Sequence, residues 1–170
     1  MFSWLDLCGL IPCMKNSIRW LFVFLVSFAT FASAGGDKKI VQISFHMETE
    51  ASDDPKMIFP YPMLGKERYF RRMPEISSKD FVAFNPFPSD DQTTYGILIQ
   101  LKESSGKRLT AITTANQGKM MVCQAFGRVV DAVMIDQPVN DRVIVIWKGL
   151  TLDEIHELDK TMPRIGEKKK

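Results

Sequence analysis

Lys15 and Arg19 stand before a nearly continuous apolar run from Trp20 to Phe31, and the run ends in Ala32-Ser33-Ala34 before Gly35. No other segment constrains the fold as much, because it takes everything up to Ala34 out of it. A basic stretch, a short apolar run and small residues at its exit make a secretory signal peptide. The run is about a dozen residues, well short of the ~20 that a permanent membrane helix needs. Cleavage is expected after Ala34, leaving a mature chain with no permanent membrane span. The competing reading, an uncleaved amino-terminal anchor, fits a short run with a small-residue end less well. Met14, followed by Lys15, Asn16 and Arg19, makes a more typical signal start than Met1, which offers Met14 as an alternative true start with Met1 to Cys13 as an upstream extension. Cys8 and Cys13 both precede the apolar run, so neither can become a lipidated first residue.

The mature part, Gly35 to Lys170, is the size of one ordinary domain and large enough to bury a core. A single domain over 35–165 is expected, with 166–170 as a basic flexible tail ending in Lys168-Lys169-Lys170. Export places it in a periplasm or outside the cell. Cys123 is then the one cysteine left, so no intramolecular disulfide can form and the fold must rest on its apolar core. Cys123 directly follows Met120-Met121-Val122, which reads as a buried, inert thiol rather than a nucleophile. The net charge of +2 includes Lys15 and Arg19, so the mature part is close to neutral and gives nucleic-acid binding no compositional support.

Alternation predicts the first strand within Lys39–Glu50, with Val41, Ile43, Phe45 and Met47 on one face and Gln42, Ser44 and His46 on the other. Ser52-Asp53-Asp54-Pro55 predicts a loop. Met57–Pro62 is rich in aromatics and proline, and Leu64–Phe70 reads as a turn feeding a short extended segment. Ile76–Phe81 can open a brief helix at Ser77 or Ser78. Asn85-Pro86-Phe87-Pro88-Ser89-Asp90-Asp91 reads as a loop. Tyr95, Ile97, Ile99 and Leu101 alternate as a second strand. A helix is expected from about Gly106 to Asn116, capped by Ser104 or Ser105, with Leu109, Ile112 and Ala115 as its apolar stripe. Gly118 suits the position past its end. Lys119–Ala125 and Val129–Ile135 then make a hairpin about Gly127, and the β-branched run Arg142–Trp147 suits a central strand. Thr151 caps a final helix with Asp153 and Glu154 in its first turn and Leu152, Ile155 and Leu158 as its stripe.

This order of elements carries Asn116-Gln117-Gly118-Lys119 before a strand, Gly127-Arg128-Val129-Val130-Asp131-Ala132 in a hairpin, and Gly149-Leu150-Thr151-Leu152-Asp153-Glu154-Ile155 at the last helix. It resembles the head subdomain of the large first periplasmic domain of SecD, a membrane subunit of bacterial protein export. The resemblance spans about Lys39 to Lys160 and is weaker before Tyr95. It implies an α+β fold, a mostly antiparallel sheet packed against about two helices. SecD's head usually follows its hairpin with a proline and a glycine pair, whereas this chain has Val133-Met134 and later Asn140-Asp141. The membrane helices that couple SecD to a proton gradient are not in this sequence, so the resemblance implies a fold and not a translocation motor.

Candidate chemistry is sparse. His46 and Glu48 share a strand face, but a metal site wants three or four ligands and the only other histidine, His156, lies on a distant helix. No metal or cofactor is expected. Arg68, Arg71 and Arg72 interleave with Tyr69 and Phe70, a texture able to grip an anionic or carbohydrate partner and equally suited to a guarded edge strand. Arg68, Tyr69, Arg71 and Arg72 are therefore the binding-surface candidates. Phe59-Pro60-Tyr61-Pro62, Phe84, Phe87 and Trp147 can serve as core or as loop anchors. The expected function is a secreted, non-enzymatic domain whose sheet face or edge binds another protein or an envelope component, with no catalytic residues. The alternatives are a chaperone-like factor assisting export, which the resemblance implies, and an enzyme using Asp131, Asp136, Asp141 or His46.

Overall fold

The computed structural model describes residues 41–167, so the leader, its expected cleavage point and the Lys168-Lys169-Lys170 run lie outside the described residues. Nine strands and two helices follow one another: β1 (Ile43–Thr49), β2 (Ile58–Met63), β3 (Lys66–Arg71), β4 (Ile76–Ser77), β5 (Phe81–Pro88), β6 (Tyr95–Leu101), α1 (Glu103–Ala115), β7 (Met120–Ala125), β8 (Arg128–Met134), β9 (Val143–Leu150) and α2 (Leu152–Thr161). A single 3-10 turn, Ser78–Asp80, fills the place of the brief helix expected near Ser77. This is the α+β architecture predicted from sequence.

The strands form two antiparallel sheets. The larger runs β2-β3-β1-β7-β8, with β4 also paired to β1, and the smaller runs β5-β6-β9. One face of each sheet and the apolar stripes of both helices share a core, including Phe45, Phe84, Ile97, Ile146, Leu109 and Leu158. The predicted alternation holds in β1, where Ile43, Phe45 and Met47 are buried on that core. A second, smaller cluster lies on the opposite face of the larger sheet: Phe70, Met120 and Val122, overlaid by Phe59, Tyr61 and Met63 of the β2–β3 hairpin.

Several expectations need correcting. Asn85 to Pro88 is strand, not loop, pairing residue for residue with Leu98 to Tyr95. Pro60 and Pro62, in a stretch the sequence leaves unassigned, also sit inside a strand. The run expected to be a central strand is β9, an edge strand paired on one side to β6. Helix α1 begins at Glu103 without a side-chain cap, and its buried positions are Ser105, Gly106, Leu109 and Thr113 while Ala115 is exposed. Ser105 uses its hydroxyl instead to donate to Asp80 at 2.7 Å. In α2 Thr151 caps as expected, and Glu154 reaches back to the Thr151 N–H to complete a reciprocal box, but Leu152 is exposed.

The placement of the prolines has a simple physical cause. Directly opposed residues of an antiparallel pair alternate between those that exchange hydrogen bonds and those whose N–H and C=O point away. Arg72 donates to Met57 O at 2.8 Å, and the same register makes Phe59, Tyr61 and Met63 the bonded residues of β2. Pro60 and Pro62 therefore fall on positions that face outward. Ser89 donates to Thr94 O at 3.1 Å, which places Pro86 and Pro88 on the outward positions of β5 by the same argument. Proline has no N–H to lose at such a position, so it is tolerated there and nowhere deeper in a sheet.

Candidate functional site

β8 is the free edge of the larger sheet and β9 of the smaller, and Arg128 meeting Gly149 while Asp131 meets Trp147 shows that they run past each other in opposite directions. At one end they are knotted together. The Asp131 carboxylate accepts from Trp147 N–H at 2.7 Å and from Ala132 N–H at 2.9 Å. Gly149, at φ 93°, passes so near Val130 that a Cβ there would stand 2.6 Å from the Val130 carbonyl oxygen. Arg128 donates to Gly149 O at 2.7 Å and grips both oxygens of Glu154 at 3.0 Å.

Towards Met134 and Val145 the two edges frame a cleft of about 530 Å³ whose apolar lining includes Leu109, Met121, Ile135 and Ile144. Asp136 and Asp141 stand on its rim, both exposed. Asp141 accepts from Val143 N–H at 3.0 Å. Arg142 lies instead against Gly106 on the α1 side. Exposed Met134 and Trp147 flank the opening, and Trp147 meets Phe87 edge to face at 6.2 Å.

The backbone facing this cleft follows from the registers. Ile135 donates to Lys119 O at 3.0 Å, so Val133 and Asp131 are bonded to β7 while Ala132 and Met134 point outward. Leu101 donates to Arg142 O at 2.9 Å, so Ile144 and Ile146 are bonded to β6 while Val143, Val145 and Trp147 point outward. Asp131 takes up two of these outward donors, those of Ala132 and Trp147.

The binding-surface candidates lie elsewhere, on or just beyond β3. β3 is flanked by β2 and β1 and so is not the guarded edge its composition suggested. Arg68 pairs with Glu48 at 2.5 Å, and Glu48 also accepts from Met120 N–H at 2.7 Å. Tyr69 donates to Glu67 at 2.9 Å, and that carboxylate raises the Tyr69 hydroxyl above its ordinary range. Arg71 pairs with Glu75 at 3.2 Å, and Arg72 is exposed beyond the strand. Three of the four thus hold separate carboxyl partners.

His46, expected on a solvated face, is buried beneath the β2–β3 hairpin, its ring edge-on to Phe59 at 5.5 Å. Its Nδ1 lies 2.8 Å from the Arg71 carbonyl, which can only accept, so Nδ1 carries the proton and Nε2 accepts from the Ser44 hydroxyl at 2.8 Å. Burial pushes its pKa down, against the Arg71 carbonyl and the Glu75 charge. Asp136 and Asp141 stand on the rim of the cleft, Asp131 ties β8 to β9 at its closed end, and His46 lies under the hairpin, so the four groups of the enzymatic alternative do not meet in one place. His156 is exposed on α2. No group of three or more His, Cys, Asp or Glu side chains arranged to hold a metal occurs among the described residues. Cys123 is buried, and burial together with the Asp131 charge pushes its thiol pKa strongly up. No described helix is long and apolar enough to cross a membrane.

No family model and no curated protein matches this sequence. Solved structures do match its fold. A structure of the membrane component SecDF that enhances protein export superposes with a TM-score of 0.52 and 14% identity, over 94% of this chain and 77% of that one. The fold is SecD-like. A crystal structure of SecDF in its super-membrane-facing form gives a TM-score of 0.49 and 16% identity over 72% of this chain, which spans 19% of that longer one. Identities this low speak for the fold alone, and at that level the resemblance to a SecD periplasmic domain read from the sequence is borne out. Sequence reasoning missed the cleft of this SecD-like fold. The signal was indirect: the prolines of Phe59-Pro60-Tyr61-Pro62 and Asn85-Pro86-Phe87-Pro88 mark two strands as edges and so leave the proline-free β8 and β9 as the open ones.

Proposed function

We propose that this chain is an exported, non-enzymatic domain that binds another polypeptide or envelope component and works beside protein export. The observation that carries the reading is the cleft where two sheet edges with outward-facing backbone groups meet over an apolar floor. The SecD-like fold supports the link to export. Exposed Met134 and Trp147 at the opening favour a neighbouring reading, capture of unfolded chains by a chaperone-like factor.

Site-specific photocrosslinking in the native host tests the proposal. A crosslinker at Met134 or Trp147 is expected to trap a partner that one at exposed Lys160 does not. Adducts absent from the cleft positions, or equal at all three, count against it. Hydrolysis or group transfer by the purified protein, abolished by substituting His46, Asp131, Asp136 or Asp141, overturns the non-enzymatic part.

A further inference from the structure

The described strands leave four long sheet edges: β2 and β8 on the larger sheet, β5 and β9 on the smaller. An uncovered edge is a row of donors and acceptors with which any extended chain can pair. On β2 and β5 that row is interrupted by two prolines each, all four on outward positions, and the β5 edge is also taken up at Phe84 by Pro163 and Ile165. The edges of β8 and β9 carry no proline. Both open ones front the same cleft.

We propose that this cleft receives one extended peptide segment as an added strand, bonded to the backbone of Met134 in β8 and Val145 in β9. The proposal rests on the binding reading above and names its partner. Strand addition draws affinity from main-chain hydrogen bonds and specificity from alternate side chains. The apolar lining at Leu109, Met121, Ile135 and Ile144 selects apolar residues at every second position of the incoming segment. Asp136 and Asp141 on the rim, with Arg142 turned to the α1 side, select a basic residue at its end. The segment stops at Asp131, whose carboxylate already holds the Ala132 and Trp147 donors. A second copy of this chain is a poor source for that strand, since its β2 and β5 edges are broken by proline and its β8 and β9 edges front its own cleft.

The test titrates the purified protein with a synthetic peptide of alternating valine and threonine ending in lysines. Three controls accompany it: the same peptide ending in glutamates, a version N-methylated at alternate residues, and sedimentation of the protein alone. Hydrogen exchange at the Met134 and Val145 amides is expected to slow by about tenfold or more on binding. Asp136→Lys combined with Asp141→Lys is expected to weaken the lysine-ended peptide by about fivefold or more and to favour the glutamate-ended one. Val145→Pro is expected to remove binding, and N-methylation of the peptide does the same without altering the protein. Binding that tolerates N-methylation, or that protects other amides, overturns strand addition while leaving the binding reading intact. Binding of neither peptide overturns the inference, and cleft adducts in the crosslinking experiment then keep the broader reading alive. A dimer in sedimentation that buries Met134 and Val145 overturns it in favour of self-association.

Discussion

His46 places an ionisable ring where strand alternation promises water, and its neighbours set a pH dependence. Its pKa in the folded chain lies below the usual 6.5 because burial disfavours the charged ring. As pH falls, the unfolded chain binds the proton first, so the stabilisation is complete above about 6.5 and is lost as pH drops through the folded value. Urea midpoints are therefore expected to fall between about pH 7.5 and pH 5, and His46→Gln to flatten that decline. An unchanged slope in the variant assigns the effect to another group. Asp131 acts differently, by satisfying two backbone donors that would otherwise lack partners in the protein. Asp131→Ala is expected to cost about 1–2 kcal/mol in chemical denaturation. A loss no larger than that of a surface alanine substitution would show that water replaces the carboxylate fully. Neither role was legible beforehand, since periodicity tells which way a side chain points but not what folds across it.

The elements read best where pattern alone decides them. β1, β6, the β7–β8 hairpin and the Thr151 cap of α2 follow from period two, a glycine turn and capping chemistry, all local in sequence. β5 was lost because Pro86 and Pro88 are turn residues in every context except an outward edge position, and only the partner strand identifies such a position. β9 looked central because β-branched residues occupy both its faces, and the structure puts Val143 and Val145 along the half-covered cleft instead. The stripe of α1 shifted since Gly106 and Thr113 are buried there, residues that hydrophobicity does not flag. The prolines yield a prediction at this scale. Pro60→Val with Pro62→Val restores two outward donors on β2 and is expected to cause association that grows with concentration, seen by light scattering. A double variant that stays monomeric across the same range would mean that the β2 edge is guarded by something else.

Across the whole molecule the two sheets share one core, with Phe45 and Met121 of the larger and Ile99 and Ile146 of the smaller in the same cluster. Neither sheet buries its inner face without the other, so they are expected to unfold together. Amide exchange in β6 and in β7 should report the same opening free energy, and a clear difference between them would reveal separable halves. The four edges have a further meaning when counted as valences. Two are silenced and the remaining two converge on one cleft, so strand addition as proposed gives each molecule one place for an extended segment. A protein with one such place cannot bridge two chains, so mixing it with a long unfolded polypeptide is expected to give beads on a string that saturate stoichiometrically instead of a crosslinked gel.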